Sequence, residues 1–327
     1  MAATISSASS ESSVCRPMPN EKRWLRRGAL FFRLACLASL GLSGCHPPRA
    51  QAKPWQEFSG EKALAHVQAL VDFGPRPPAS AALERERVYL RKNLEASGWK
   101  VETQPFTDQT PRGPIAFVNL IATWPGKQAA ATPRFLVCSH YDTKTFDTIT
   151  FVGANDGGSS TGALLEMARV LSLHPELAAK IELVFFDGEE AYEQFSATDG
   201  LYGSRYFARQ ITASKTEKMY RDGILWDMMG DRDLTITLPP DSPVELARGI
   251  FAAADALQVR NQFTYFSQDI LDDHSPLNAI GIPTIDLIDF DYPPWHTAGD
   301  TMDKLSAQSL QTVGAVTLYY LSELAFK

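Results

Sequence analysis

The sequence predicts an α/β domain of three layers, with a mixed, mostly parallel central sheet flanked by helices. Two observations carry this reading. Short continuous apolar runs at 135–139, 181–186 and 283–288 read as strands buried on both faces, because a strand with one wet face would alternate. Between them lie stretches with helical apolar spacing, and strands that alternate with helices build parallel sheets. Composition sets the bounds: the 327 residues are 44% hydrophobic and 21% charged, with 21 Gly and 21 Pro. Those values exclude a disordered chain, a collagen-like repeat and a small disulfide-stapled scaffold. A formal net charge of −7 argues against a general nucleic-acid binder.

The elements follow in order. Within 61–73, Leu64, Val67, Leu70 and Val71 share one helical face, and Gly74-Pro75-Arg76-Pro77-Pro78 stops the helix. A second amphipathic helix over 81–97 closes at Gly98. Residues 99–106 alternate as a strand, and a second strand over 117–123 ends at Pro125-Gly126. The strand at 135–139 is followed by a strongly periodic helix over 161–173. After the strand at 181–186 come a helix over 201–209, a strand over 223–229 and a helix over 244–257. The last strand, 283–288, precedes a long C-terminal helix over 305–325. No internal repeat or second linker interrupts this run, so 59–327 reads as one domain.

Residues 1–44 differ in kind. A basic cluster (Lys22, Arg23, Arg26, Arg27) precedes an apolar run over 28–42 that carries Arg33 and ends in Leu42-Ser43-Gly44-Cys45. Basic, then apolar, then small is the layout of an export signal, and the run is too short for an ordinary membrane span. The ending resembles a bacterial lipobox, with Cys45 lipidated as the first mature residue; an uncleaved signal anchor is the alternative. Pro-rich 45–58 reads as a tether, and the expected location is the periplasmic side of a bacterial membrane. Six Lys/Arg and two Glu give 1–44 a net +4, which leaves −11 on the remainder. Of the four cysteines (Cys15, Cys36, Cys45, Cys138), only Cys138 stays as a free thiol, expected inside a strand. That set builds neither a zinc ribbon nor a disulfide framework.

In such folds ligands gather at the carboxyl ends of strands, and the ligand-type residues cluster there. They are His140-Tyr141-Asp142, Asp156 in a Gly-rich loop before a helix, Asp187-Gly188-Glu189-Glu190, Asp227, Asp272-Asp273-His274, and Trp295-His296-Thr297. Mixed His and carboxylate ligands suit zinc. Adjacent Glu189 and Glu190 cannot point the same way, so one can bind metal while the other serves as a general base. Taken singly, each has a plainer reading: a solvated Glu pair, a structural His, an Asp-Gly-Gly turn. His66 reads as packing and His174, before Pro175, as a helix cap. The coincidence of so many at strand ends favours chemistry.

These residues, with His296-Thr297 followed by Asp300-Thr301, resemble the M28 type of zinc aminopeptidase over roughly residues 60–327. Within it, Phe185-Phe186-Asp187-Gly188-Glu189-Glu190-Ala191, Leu201-Tyr202-Gly203-Ser204-Arg205, Asp272-Asp273-His274-Ser275-Pro276 and Trp295 before His296 are similar to the animal-type glutaminyl cyclases. The resemblance implies a zinc exopeptidase-like fold and one zinc held by Asp156, Glu190 and His296. It implies Glu189 as proton shuttle, Asp227 and Asp272 in a supporting acidic network, and Trp295 as a wall for an N-terminal glutamine. The reaction implied is attack of the glutamine α-amine on its own side-chain carbonyl, giving pyroglutamate and ammonia. Three departures stand out: Phe195 replaces the usual Trp after the Glu pair, Asp286 replaces a His, and the family disulfide near His140-Tyr141-Asp142 has no partner here. The rival is a two-zinc aminopeptidase, with His140 and Asp227 holding a second ion, Asp156 bridging and Glu189 activating water. A non-catalytic binding module is a third possibility, disfavoured by the intact ligand set.

Overall fold

A computed structural model describes residues 52–126 and 133–326. The expected signal, Cys45 and most of the tether lie outside these residues. Eight strands form one sheet in the order β1-β2-β4-β3-β5-β8-β6-β7. They are β1 (Lys100–Thr110), β2 (Gly113–Thr123), β3 (Arg134–His140), β4 (Ile181–Phe186), β5 (Tyr220–Asp227), β6 (Ile236–Leu238), β7 (Phe263–Tyr265) and β8 (Thr284–Ile288). The centre, β4-β3-β5-β8, is parallel, and the β1–β2 hairpin joins it antiparallel through β2 and β4. On the far side β6 runs antiparallel to β8 and parallel to β7.

The apolar runs are buried on both faces, as their lack of alternation requires. Phe135, Val137, Ile181, Leu183, Phe185, Ile224, Trp226, Ile285 and Leu287 enter the larger core, while Leu136, Cys138, Val184, Phe186 and Leu225 enter the smaller one opposite. Helices α2 (Gly60–Val71), α3 (Ala81–Ala96), α4 (Gly158–Ser172), α7 (Val244–Ala256) and α9 (Ala307–Tyr319) contribute to the larger core; α6 (Tyr202–Ser214) and α8 (His274–Ala279) cover the other face. The three-layer expectation therefore holds.

The differences have local causes. The sequence alternation at 99–106 continues through a long two-stranded hairpin, so both strands run further toward the turn at Gly113. The three-residue β6 and β7 and the short α8 are too brief to show a period, and sequence reading missed them. Leu201 adopts a left-handed conformation (φ 55°) and α6 starts after it. The C-terminal helix begins at Ala307 because Leu305 pairs with Asp231 as an isolated bridge. The last residues of the segment read as a tether are ordered against the domain. Pro54–Glu57 forms a turn of helix, α1, and the Trp55 ring packs edge-on against Tyr319 at 4.8 Å. At the C-terminal end of α1 the Glu57 carboxylate meets His174 Nε2 at 2.6 Å. His174 thus occupies the N-cap position of α5 (Pro175–Ala178), but its side chain bonds elsewhere rather than capping. His66 packs as expected, with Nδ1 2.7 Å from the Tyr89 hydroxyl.

Helix α4 is buried almost throughout, because α2 lies across it on a glycine. A Cβ on Gly162 would stand 2.6 Å from Val67 Cγ2 and 2.9 Å from Val67 N. Since α4 starts at the metal-type loop, this contact sets where that loop hangs. Gly162→Ala is expected to cost about 1–3 kcal/mol by forcing the two helices apart, read as a lower denaturant midpoint at unchanged m-value.

Candidate active site

Four parallel strands deliver their carboxyl ends to one edge of the sheet. His140 is the last residue of β3, Asp227 the last of β5, and Glu189 and Glu190 follow β4 by three and four residues. Asp156 hangs in the loop between β3 and α4. His296 comes from the segment after β8, where it takes a left-handed backbone (φ 54°). A non-glycine residue in that region is uncommon and is found where the surroundings demand it.

The side chains converge. His296 Nε2 lies 3.3 Å from Asp156 Oδ2 and 3.1 Å from Glu190 Oε2. One donor atom from each of Asp156, Glu190 and His296 falls within 4.8 Å of the others. Next to them, His140 Nε2 is 3.3 Å from Asp156 Oδ1 and 3.2 Å from Asp227 Oδ1, so His140, Asp156 and Asp227 form a second such group. Asp156 belongs to both. Its two oxygens face different imidazoles, Oδ1 that of His140 and Oδ2 that of His296, and both are buried. A neutral imidazole with two carboxylates matches the preferences of zinc, so the residues fit the ion that the sequence resemblance implies.

The scaffold behind these groups is built from backbone bonds. Asp142 accepts from the amides of Glu189 (3.0 Å) and Glu190 (3.4 Å), which fixes the direction of both side chains. Gly188 has φ 73°, and a Cβ there would strike the Phe117 ring at 2.4 Å; only glycine fits the turn that aims the Glu pair. Asp300 accepts from the amides of Asn155 (2.8 Å) and Asp156 (3.1 Å) and from the Tyr292 hydroxyl (2.8 Å). Asn155 Oδ1 accepts in turn from the amide of Gly230 (2.8 Å), tying the loop to the end of β5. The residue types of Asp142 and Asp300 were visible in the sequence motifs; their anchoring role was not, because it depends on backbone positions brought together only by folding.

The electrostatics are those of crowded, buried carboxylates. Burial pushes Glu189 well above the ordinary carboxylate range; His140 opposes this, while Asp272, Glu190 and Asp273 reinforce it. Burial also raises Glu190, with Asp156 adding to it. Asp156 goes the other way: burial raises it, but the bonds from His140 and His296 outweigh that and hold it low. His296 is pulled down by burial, yet Glu190 and Asp156 carry it up to about 9.

A cleft of about 170 Å³ opens onto this edge. Its floor holds Asp156, Glu189, Asp227, Asp272 and His296, and its sides carry Phe195, Leu271, Phe290 and Trp295 among others. Trp295 lines this cleft, is 37% exposed and stacks on the His296 ring at 4.1 Å. Phe195 stands across the cleft with Lys144 Nζ 5.6 Å over its ring; Lys144 also bonds the Ala191 carbonyl at 2.6 Å. Asp156, Phe195, Glu189, Asp227, Asp272, Trp295 and His296 thus line the cleft, Glu190 and His140 stand beside Asp156, and Asp187 turns away to the Val118 amide and Arg87. The apolar lining from Ile270, Leu271 and Phe290 was missed, having no pattern to mark it. Asp286, noted as a departure, lies beneath Asp272 rather than in the cleft.

Residues 119–321 match the model of peptidase family M28. A glutaminyl-peptide cyclotransferase-like protein of Mus musculus is 30% identical, over 76% of this chain and 72% of its own. The glutaminyl-peptide cyclotransferase of Boiga dendrophila is 29% identical, over 78% of each chain. Among solved structures, the Acidobacteriales bacterium glutaminyl cyclase superposes with a TM-score of 0.77 at 33% identity, covering 84% of this chain and 97% of that one. A Zn-dependent exopeptidase from Parabacteroides distasonis gives 0.75 at 26% identity, covering 82% and 99%. With its sheet order, its strand-end ligands and the tryptophan beside His296, the chain belongs to peptidase family M28, among its glutaminyl cyclases.

Proposed function

We propose that the chain is a glutaminyl-peptide cyclotransferase, converting the N-terminal Gln of peptides to pyroglutamate with release of ammonia. The observation that carries this is the cleft itself. Asp156 and His296 of the zinc-type trio, the buried carboxylic base Glu189 and the exposed Trp295 line one pocket about the size of a single residue, and Glu190 completes the trio beside it. Zinc held by Asp156, Glu190 and His296 would supply Lewis acidity toward the side-chain carbonyl oxygen.

The chain's own residues do the rest. Glu189 takes a proton from the attacking α-amine and returns it to the departing nitrogen. A raised pKa serves both directions of that transfer, since the shuttle must accept and then release. Asp272 faces the amide nitrogen as a hydrogen-bond acceptor. Trp295 and Phe195 bracket the side chain, folding it so that amine and carbonyl approach, an orientation gain that needs no external nucleophile. Ile270, Leu271, Ile288 and Phe290 make much of the lining apolar, which disfavours water as a competing nucleophile.

The second reading is a two-metal aminopeptidase, favoured by one observation: His140, Asp156 and Asp227 also lie within 4.8 Å of one another. Incubation of purified protein with a Gln-initiated peptide separates the two. The cyclase reading expects loss of ammonia from the intact peptide and about one zinc per chain; release of the N-terminal residue with two tightly held zincs would establish the rival. Glu189→Gln is expected to keep zinc while turnover falls by about 10²–10⁴-fold; full activity there would displace Glu189 as base. His296→Ala is expected to lose zinc and turnover together, as metal analysis on the dialysed variant would record, and wild-type zinc content would remove His296 from the ligand set.

A further inference from the structure

We propose that Asp199 is a positioning residue: its carboxylate clasps the start of the loop over 191–200 and so holds the Phe195 ring at the wall of the cleft. The clasp belongs to the fold alone; its effect on turnover rests on the cyclase reading.

The segment 191–200 contains no helix or strand, yet the chain closes on itself across it. The Leu201 amide donates to the Glu189 carbonyl at 2.7 Å, and the Tyr202 amide to that of Gly188 at 2.8 Å. A surface loop closed in this way is packed by its own side chains. Most of it faces water: Glu193, Gln194, Ser196, Ala197 and Thr198 are exposed. Asp199, in contrast, is buried. Its Oδ1 accepts from the Tyr192 amide at 2.8 Å and from the Tyr202 hydroxyl at 2.9 Å. Its Oδ2 accepts from the amides of Glu193 at 2.8 Å and Gln194 at 3.1 Å. Three consecutive amides thus end on one carboxylate. Burial raises Asp199, but the amides of Glu193 and Tyr192, with Tyr202 and Gln194, outweigh that and hold it below its usual range. The bonds are therefore charge-assisted, the stronger kind.

The carboxylate is aimed from behind. Tyr202 is buried and stacks on Phe117 at 4.9 Å, and Phe117 stacks on Phe106 at 5.3 Å, so the β1–β2 hairpin backs the clasp. Phe195 directly follows the three fastened residues. Its ring lies on the backbone of Gly200, where a Cβ would stand 2.7 Å from Phe195 Cδ1. Within 191–200 it is Phe195 that lines the cleft; Asp199 does not, so Asp199 acts through that ring. Arg205 of α6 donates to the carbonyls of Ser196 and Ala197, which holds the exposed limb and leaves the inner limb to Asp199. Without the carboxylate the three amides turn to water, and the ring loses its fixed approach to the substrate side chain.

The test uses the zinc-loaded enzyme with Asp199→Ala, Asp199→Asn, Phe195→Ala, and a chain carrying both alanines. The substrate-free readout is chymotrypsin cleavage of the folded chain after Tyr192 or Phe195, located by mass. Asp199→Ala is expected to be cut there at least about tenfold faster than wild type, because the loop opens more often, with zinc content unchanged. In turnover of a Gln-initiated peptide, Asp199→Ala is expected to lose about 10–100-fold in kcat/KM. Asp199→Asn, which keeps one acceptor oxygen, is expected to fall between it and wild type in both readouts. The double variant is expected to match Phe195→Ala, since a residue that acts through another adds nothing once the other is gone. Wild-type cleavage of Asp199→Ala overturns the clasp. Wild-type kcat/KM in a readily cut Asp199→Ala overturns the positioning role. Losses that multiply in the double variant, or zinc loss from Asp199→Ala, overturn action through Phe195. Where Asp199→Ala does not fold, Asp199→Asn decides: wild-type cleavage and kcat/KM there overturn the proposal. If the wild-type enzyme cyclises no Gln peptide, the functional reading fails on its own, and the cleavage rate still decides the clasp.

Discussion

Asp156 sits between two imidazoles, and the rest of the site is arranged around that fact. His140 reaches one of its oxygens and His296 the other. Glu189, Glu190, Asp227, Asp272, Asp273 and Asp286 are buried close by. Two like charges about 4 Å apart repel by roughly 4 kcal/mol even at an effective dielectric near 20. A strand-end cluster of this kind holds together only if cations and shared protons offset the charge. The histidines are the protein's own offset, and the fit of the donor set to a divalent ion is the same requirement seen from the ligand's side.

That requirement explains why the supporting structure is so rich in backbone bonds. The loops bearing Asp156 and the Glu pair cannot rely on mutual attraction of their side chains. They are fastened instead by amides that point at Asp300 and Asp142, and such charge-assisted bonds are stronger than neutral ones. Glycines at 157 and 188 permit the turns; at Gly157 a Cβ would stand 2.7 Å from the Asp142 carbonyl. Packing of α2 on α4 sets the position of the Asp156 loop from behind.

The fold was readable wherever one face or both faces of an element had to be apolar. The strand at 181–186 coincides with β4, and α2, α3, α4 and α7 lie within a few residues of their expected spans. Short edge elements such as β6 and β7 left no period to read. The ligand-type residues were legible because strand ends concentrate them, and the family resemblance then sorted the ligands from the base. What the sequence did not disclose was the second tier: Asp300 and Asp142 act on backbone amides, and amides carry no residue signature. The cleft's apolar sides were equally silent, since Leu271 and Phe290 look like any hydrophobic residues until the chain brings them to the mouth.

Cys138 lies in β3 among Leu136, Val184 and Leu225, fully buried, and burial lifts its thiol well above the ordinary range. It is the one cysteine among the described residues. Reactivity of a thiol follows its thiolate fraction and access, and Cys138 offers neither. Residues 52–326 are thus a blank background for alkylating reagents: in a chain whose Cys15, Cys36 and Cys45 are replaced, a fluorophore on a cysteine introduced at the cleft mouth would report from that position alone.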